Sequence, residues 1–371
     1  MMPEKNRITA CFITGSAGDW GGASRVIYTL LRRLPRERID PLVLLPGDGP
    51  VAGELEASGI RFRLWGALTE LELPSPWRYV SALVRAMAFF RRHRVRVVHV
   101  NHSGFWRAAE ILAARLLGIP VIAHYHVVNA RPAPGMAWCA KAVAVSDYVA
   151  RMSGPAGLEK CVVYNPVDPG RFAAGRSLRP DLGIPDACPV AGFAGQIRDI
   201  KGVQDFIRMA RMIDAPDAVF LIAGECRDPA KFPGSYTEPQ LREMIGGDTR
   251  IRYLGYVERI EDVYATSDVM VVPSRWQEPL GLIAIEAGLM GRAVVATRVG
   301  GIPEVIVDGQ TGCLFEVGEI GEMAACVAAL LRDAGERARL GGSAQERVTR
   351  LFVDGPVREF EALLFDSARR A

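Results

Sequence analysis

Several things are missing from this chain of 371 residues. No stretch reaches the roughly 18–20 uninterrupted apolar residues that a membrane-crossing helix needs. The opening "MMPEKNRITACFIT" runs straight into an apolar strand pattern and carries no signal-peptide signature. The seven cysteines, at 11, 139, 161, 188, 226, 313 and 326, are scattered, odd in number and never spaced as a CxxC pair. That argues against a disulfide framework and predicts small reduced core residues in a cytoplasmic setting. There is no short internal repeat, no low-complexity tract and no recognisable nucleic-acid module, so no nucleic-acid partner is expected.

What is present is core-forming material. Hydrophobic residues make up 49% and charged residues 23%, which fits a folded globular protein. The length suggests two domains, because single cores stop growing near ~250–300 residues. The net charge of +3 hides an asymmetry: residues 1–180 hold 24 Lys/Arg against 13 Asp/Glu, and residues 181–371 hold 21 against 29. The first half therefore favours an anionic neighbour, such as an acidic acceptor or an anionic membrane surface.

Apolar runs of strand length alternate with amphipathic runs of helix length. Strand candidates in the first half are 8–14, 41–45, 60–65, 95–100, 120–126, 142–146 and 161–165; in the second half they are 189–195, 218–224, 250–255, 268–274 and 293–298. This alternation predicts an α/β fold of two doubly wound, Rossmann-like domains with parallel sheets covered on both faces. The aperiodic, Pro- and Gly-rich "GRSLRPDLGIPDACP" sets the expected boundary, giving domains 1–178 and 179–355. The last amphipathic helix, about 356–371, is expected to pack back on the first domain. Ligands in such sheets bind beyond the carboxyl ends of the strands.

Four stretches could carry chemistry there. In "TGSAGDWGGASRVIYTLLRRL" a strand meets glycines and then a helix N-terminus, which suits an anion; Gly15, Gly18 and Gly21 also fit a loose nicotinamide-type spacing or a plain tight turn. In "GFAGQIRDIKGVQDFI" Arg198 and Lys201 stand between a strand end and a helix start, where a diphosphate would be neutralised. In "EPLGLIAIEAGLMG" Glu278 precedes the helix and Glu286 lies about one and a half turns into it, among Ile283, Ile285, Ala287, Leu289 and Met290. A carboxylate in such company needs a partner; two carboxylates so placed could take hydroxyls of one polyol ligand. All five histidines fall between 93 and 126, and His124 and His126 alternate on one strand. With no supporting carboxylates nearby, a single functional histidine at a strand end is expected rather than a metal site. The stretch 80–100 adds an apolar face with Arg85, Arg91, Arg92, Arg94 and Arg96, which fits a core helix with a solvated basic end or a membrane-surface helix.

Taken together, "GGASRVIYTLLRRL", "VVHVNHS", "PVIAHYH", "VVYNPVDPGRF", "FAGQIRDIKGV" and the long block from "RYLGYVERIEDVY" to "VGGIPEVIVDGQTGCLF" resemble the retaining GT-B glycosyltransferases of family 4. The glutamate pair with seven residues between is the hallmark of that family. The resemblance implies a nucleotide-sugar donor, a saccharide or glycolipid acceptor and no metal ion or other cofactor. It assigns the donor sugar to Glu278 and its reaction centre to His126. The diphosphate goes to Lys201 and the loop of Gly21 and Gly22, and the backbone of Pro279, Leu280, Gly281 and Leu282 holds sugar hydroxyls and the diphosphate. The ribose goes to Glu286 and the base to Tyr256 and Val257. One position departs: the family's usual arginine five residues before the lysine is Gln196 here, and Arg198 is the nearest replacement. The expected activity is transfer with retention, in bacterial-type surface polysaccharide or glycolipid synthesis, in the cytoplasm or at the inner membrane face. A non-catalytic sugar-nucleotide-binding subunit and an epimerase on the same fold are the alternatives.

Overall fold

The structure is a computed structural model that describes residues 7–15, 22–66, 76–101, 108–129, 134–155 and 157–369. The chain divides into two compact units: residues 1–166 with 354–371, and residues 167–353.

The first unit runs β1 (Ile8–Thr14), α1 (Gly22–Arg33), β2 (Ile39–Leu45), α2 (Pro50–Ala57), β3 (Arg61–Leu64), α3 (Pro76–Arg92), β4 (Val95–Asn101), α4 (Ala108–Leu116), β5 (Val121–Tyr125), β6 (Lys141–Ala144), α5 (Asp147–Met152) and β7 (Lys160–Val162). Its seven strands are all parallel and ordered β3-β2-β1-β4-β5-β6-β7. The order reverses direction between β1 and β4, the switch point of a doubly wound sheet. The central strands are continuous apolar runs rather than alternating ones, because helices cover both faces.

The second unit runs α6 (Pro169–Ala173), β8 (Val190–Ala194), α7 (Val203–Met212), β9 (Val219–Ala223), α8 (Glu238–Ile245), β10 (Ile251–Gly255), α9 (Ile260–Thr266), β11 (Val269–Val272), α10 (Leu282–Leu289), β12 (Ala293–Thr297), α11 (Ile302–Val305), β13 (Cys313–Phe315), α12 (Ile320–Arg332) and α13 (Ala334–Phe352). Six parallel strands lie in the order β10-β9-β8-β11-β12-β13, with the switch point between β8 and β11. A core of Phe193, Phe206, Phe220, Val269, Val295 and Val327 joins one face of the sheet to α7 and α12.

The division differs from the one expected. It falls after Pro166, not at 178, and the Pro/Gly-rich stretch is part of the second unit. Lack of period there reflects irregular backbone that is nonetheless tied down. Arg176 N donates to Asp262 (2.7 Å) and Leu178 N to Thr266 Oγ1 (2.8 Å). Arg179, 9% exposed, donates to the carbonyls of Pro185, Asp186 and Cys188 and pairs with Asp268 at 2.8 Å. The closing helix α14 (Gly355–Arg369) belongs to the first unit, where Phe360 packs on Phe12, His99 and His124. Among the described residues no helix is long and apolar enough to cross a membrane.

Candidate active site

In the second unit the loops after β8 and β11 meet at the switch point. After β8, Gly195 turns the chain at φ 146°, a short 3-10 turn spans Asp199–Lys201, and Gly202 (φ 74°) opens α7. A Cβ at Gly202 would lie 1.8 Å from the Pro273 carbonyl, so only glycine lets the two loops come this close. Arg275 bridges them: its guanidinium makes two bonds to the buried Asp205 of α7 (2.5 and 2.6 Å), and its N–H donates to Ile200 O (2.9 Å).

This frame holds Lys201 against Glu278. Lys201 Nζ donates to Glu278 Oε1 at 2.6 Å, and Ser274 Oγ donates to the same oxygen at 2.7 Å. Glu278 is 8% exposed. The Lys201 ammonium also sits 5.1 Å from the centre of the Trp276 ring. The Glu278 main chain is backed by Gly300 and Gly301: Gly301 N donates to Glu278 O (2.8 Å), and a Cβ on Gly300 would stand 2.0 Å from that oxygen. Pro279 and Leu280 lead to Gly281 (φ 94°), the N-cap of α10, which starts at Leu282. The helix start, just after Glu278 in sequence, therefore offers unpaired backbone N–H groups.

Glu286 has the partner its apolar neighbours demand. Tyr264 of α9, fully buried, donates its hydroxyl to Glu286 Oε2 at 2.6 Å. Burial, and then the Glu286 charge, push the Tyr264 phenol well above its usual range, so it remains a donor. The contact anchors one carboxylate oxygen and fixes the orientation of the other.

The remaining expected residues are placed as follows. Gln196 and Arg198 lie in the loop after β8. Arg198 is turned to the segment 226–240: its Nη2 donates to Pro233 O (2.8 Å), and Gln196 Oε1 is 3.5 Å from its Nη1. Asp199 N donates to Gly234 O and Tyr236 N to Ile197 O, so that segment wraps the loop. Tyr256, 68% exposed, and Val257 follow β10, the edge strand, two places from β8. In the first unit His126 follows β5 and bonds through Nε2 to Asn101 Oδ1 at the end of β4 (2.6 Å). Its ring centre is 4.1 Å from that of His124, whose Nδ1 is 3.1 Å from His99 Nε2. Burial lowers His99 to about 3 and His124 well below the usual range, so both rings are neutral. Gly22 opens α1, and Gly21 lies outside the described residues. Among the described residues no three His, Cys, Asp or Glu side chains gather as metal ligands would.

The residues missed by the sequence reading are Tyr264, Ser274, Asn101 and the pair Asp205–Arg275. Their signals are weak: each is an ordinary polar residue whose partner is distant in sequence or on another element. The Glu286 environment called for a partner without saying which.

Two parallel-sheet Rossmann-like units, the second carrying the Lys201–Glu278 pair at its strand-order switch, have the GT-B fold of glycosyltransferases. Two family models match, one described as "Glycosyl transferases group 1" over residues 188–333 and one as "Glycosyltransferase Family 4" over residues 20–171. The chain belongs to this GT-B family 4 of glycosyltransferases. It is 26% identical to the D-inositol 3-phosphate glycosyltransferase of Corynebacterium glutamicum, over 89% of this chain and 88% of that one. It is 31% identical to the N-acetyl-alpha-D-glucosaminyl L-malate synthase of Bacillus anthracis, over 52% and 49%. Among solved structures, a glycosyltransferase of Rickettsia africae superimposes with a TM-score of 0.86 at 18% identity, covering 99% of this chain and 100% of that one. Anabaena HepE, solved with UDP and glucose, gives 0.78 at 20% identity, covering 98% and 100%.

Proposed function

We propose that the protein moves a sugar, with retention at the anomeric carbon and without a metal ion, from a nucleotide-sugar donor to a saccharide or glycolipid acceptor. The observation that carries this reading is the Lys201–Glu278–Ser274 cluster, whose buried Ser274 and Glu278 stand in sequence just before the α10 start and Glu286. A diphosphate entering here finds a cation and unpaired N–H groups, the means by which developing charge on a leaving group is stabilised. Lys201 turns to the diphosphate, Glu278 takes sugar hydroxyls, and Glu286, oriented by Tyr264, takes the ribose hydroxyls. Tyr256 and Val257 are assigned to the base, Gly21 and Gly22 to the diphosphate and His126 to the reaction centre. The donor phosphate oxygen accepts the acceptor's proton on the same face, so no protein nucleophile is invoked.

The family supports an enzyme over a passive binding subunit. Relatives named for inositol 3-phosphate and malate act on anionic acceptors, and the basic first half of this chain suits an acceptor of that sign or one carried at an anionic membrane surface. Surface polysaccharide or glycolipid synthesis, in the cytoplasm or on the inner membrane face, is the setting that accommodates both.

Calorimetry with UDP-, GDP-, ADP- and dTDP-sugars, wild type beside Glu286→Ala, tests the donor site. One nucleotide should bind and weaken in the variant. Turnover of that donor should persist in EDTA, disappear in Lys201→Ala and give a product of unchanged anomeric configuration. Binding without turnover in the presence of any acceptor would favour the non-catalytic reading; an inverted product would refute retention.

A further inference from the structure

Helix α3 of the first unit presents two different faces. Ala82, Ala86 and Phe90 are buried against the unit. On the opposite side Trp77 is 83% exposed, Val80 48% and Val84 59%. At 100° per residue Trp77, Val84 and Arg91 fall on one line, with Val80 beside it. Arg78, Arg85 and Arg92 repeat every seven residues along the flank. The sequence PWRYVSALVRAMAFFRR contains four arginines and no acidic residue. Arg85 is held over the Trp65 ring, 4.0 Å from its centre, while Arg78, Arg91 and Arg92 are exposed. The positive surface continues at the helix end. His93 is lowered by burial and then by Arg61, Arg63 and Arg92, with Asp40, which pairs with Arg61, opposing, so the arginines of edge strand β3 adjoin the end of α3. On β3, Leu64 is 54% exposed.

A tryptophan and two valines in line on one exposed helix face, flanked by arginines, make an apolar patch with a basic rim, the kind that marks an interaction site. We propose that this face of α3 docks the protein on an anionic phospholipid bilayer. The helix lies along the membrane plane. Trp77, Val80 and Val84 enter the headgroup boundary, and Arg78, Arg91 and Arg92 meet lipid phosphates while their stems cover apolar surface. Charge complementarity selects this occupant over a second copy of the chain, because a two-fold pairing of the face would set arginines against arginines. The proposal does not rest on the donor site, and vesicle binding can succeed or fail independently of sugar transfer.

The test is flotation of the full chain with phosphatidylcholine vesicles containing about 30% phosphatidylglycerol, at low and high salt. The wild type should float, less so at high salt, and not with pure phosphatidylcholine. Each arginine removed should lower partition about fivefold, so Arg78→Gln/Arg91→Gln/Arg92→Gln should lose on the order of a hundredfold. Trp77→Ser/Val84→Ser should abolish flotation even where the arginines remain. Wild-type tryptophan emission should shift to the blue on binding, and Trp77→Phe should lose most of that shift while keeping wild-type circular dichroism. Absence of flotation would overturn the proposal. So would flotation unchanged in both multiple variants, heparin binding without a dependence on Trp77, or a dimer that Trp77→Ser dissolves in a protein that ignores vesicles.

Discussion

Lys201 and Glu278 make a pair whose two members have separable duties, and a double-mutant cycle can expose both. Removing the ammonium with Lys201→Met leaves a carboxylate that is 8% exposed with Ser274 as its bonded partner at the shared oxygen. Breaking a buried ion pair from one side costs about 3–5 kcal/mol. The Lys201 side chain is 24% exposed, so water moderates the loss, and about 2–3 kcal/mol is expected. Glu278→Gln should cost less, about 1 kcal/mol, because the freed ammonium can reach water. In Lys201→Met/Glu278→Gln no charge is stranded, and the double variant should be more stable than the sum of the singles by about 1–2 kcal/mol. Scanning calorimetry reads this out: at about 2–4 °C per kcal/mol, Lys201→Met should lower the second unit's transition by about 4–12 °C and the double variant should recover part of it. All three variants should lose sugar transfer, since the recovered stability restores no cation. An additive cycle, or an unchanged transition in Lys201→Met, would refute the stabilising pair.

Three more outcomes follow from the geometry. Tyr264→Phe removes a 2.6 Å bond to the Glu286 carboxylate. It should cost about 1.5–3 kcal/mol of stability and raise the donor KM about tenfold, with kcat little changed, as steady-state kinetics would show. His99 and His124 are buried neutral with folded pKa values below the unfolded 6.5, to about 3 for His99. Their contribution is therefore complete above the unfolded pKa and is lost as pH falls from about 6.5 toward the folded values, by about 1.4 kcal/mol per pH unit for each ring. Urea unfolding of the first unit at pH 7, 5.5 and 4.5 should give that slope, and His99→Leu should reduce it by one proton. Gly300→Ala puts a Cβ 2.0 Å from the Glu278 carbonyl at a φ of 56°. Strain of about 1–2 kcal/mol and a displaced Glu278 loop should abolish donor binding in calorimetry while the unit still folds by circular dichroism.

The central strands were legible because they are short apolar runs bounded by turn residues, while β13 (Cys313–Phe315), three residues long, had no strand candidate. The turn into α10 was legible from Pro279 and Gly281, which break the chain after an apolar strand. Long-range polar pairing was not. Tyr264 reads locally as one residue of an amphipathic helix; only the fold brings it to Glu286, 22 residues on. Asp205 and Arg275 are 70 residues apart and look like solvated charges until their two short bonds are seen. The same limit explains the boundary: "GRSLRPDLGIPDACP" has linker composition, yet Arg179 and the backbone of Arg176 and Leu178 tie it to the second unit. The segment 226–240 gave no reading at all, because its function in the fold is to hydrogen-bond the loop 197–199 from outside rather than to build a periodic element.

The Gln196 departure can now be weighed against these contacts. Arg198 was the nearest substitute for the missing arginine, but its Nη2 is committed to the Pro233 carbonyl, and Arg275 is committed to Asp205. Arg198 could turn to a phosphate only by giving up a bond that holds the 226–240 segment on the loop. Arg275 could do so only by leaving a carboxylate that is 3% exposed with Arg208, 3.6 Å away, as its remaining cation. Lys201 is under a different constraint. Its partner Glu278 keeps the Ser274 hydroxyl when the ammonium swings away, and on the proposed reading gains sugar hydroxyls in the same step. Exchanging carboxylate for diphosphate then leaves the ammonium paired and the carboxylate hydrogen-bonded to hydroxyls, which limits the cost of moving the ion. The cation that the loop can release at low cost is thus Lys201, and the backbone amides at the start of α10, which need no release, supply the rest of the positive field.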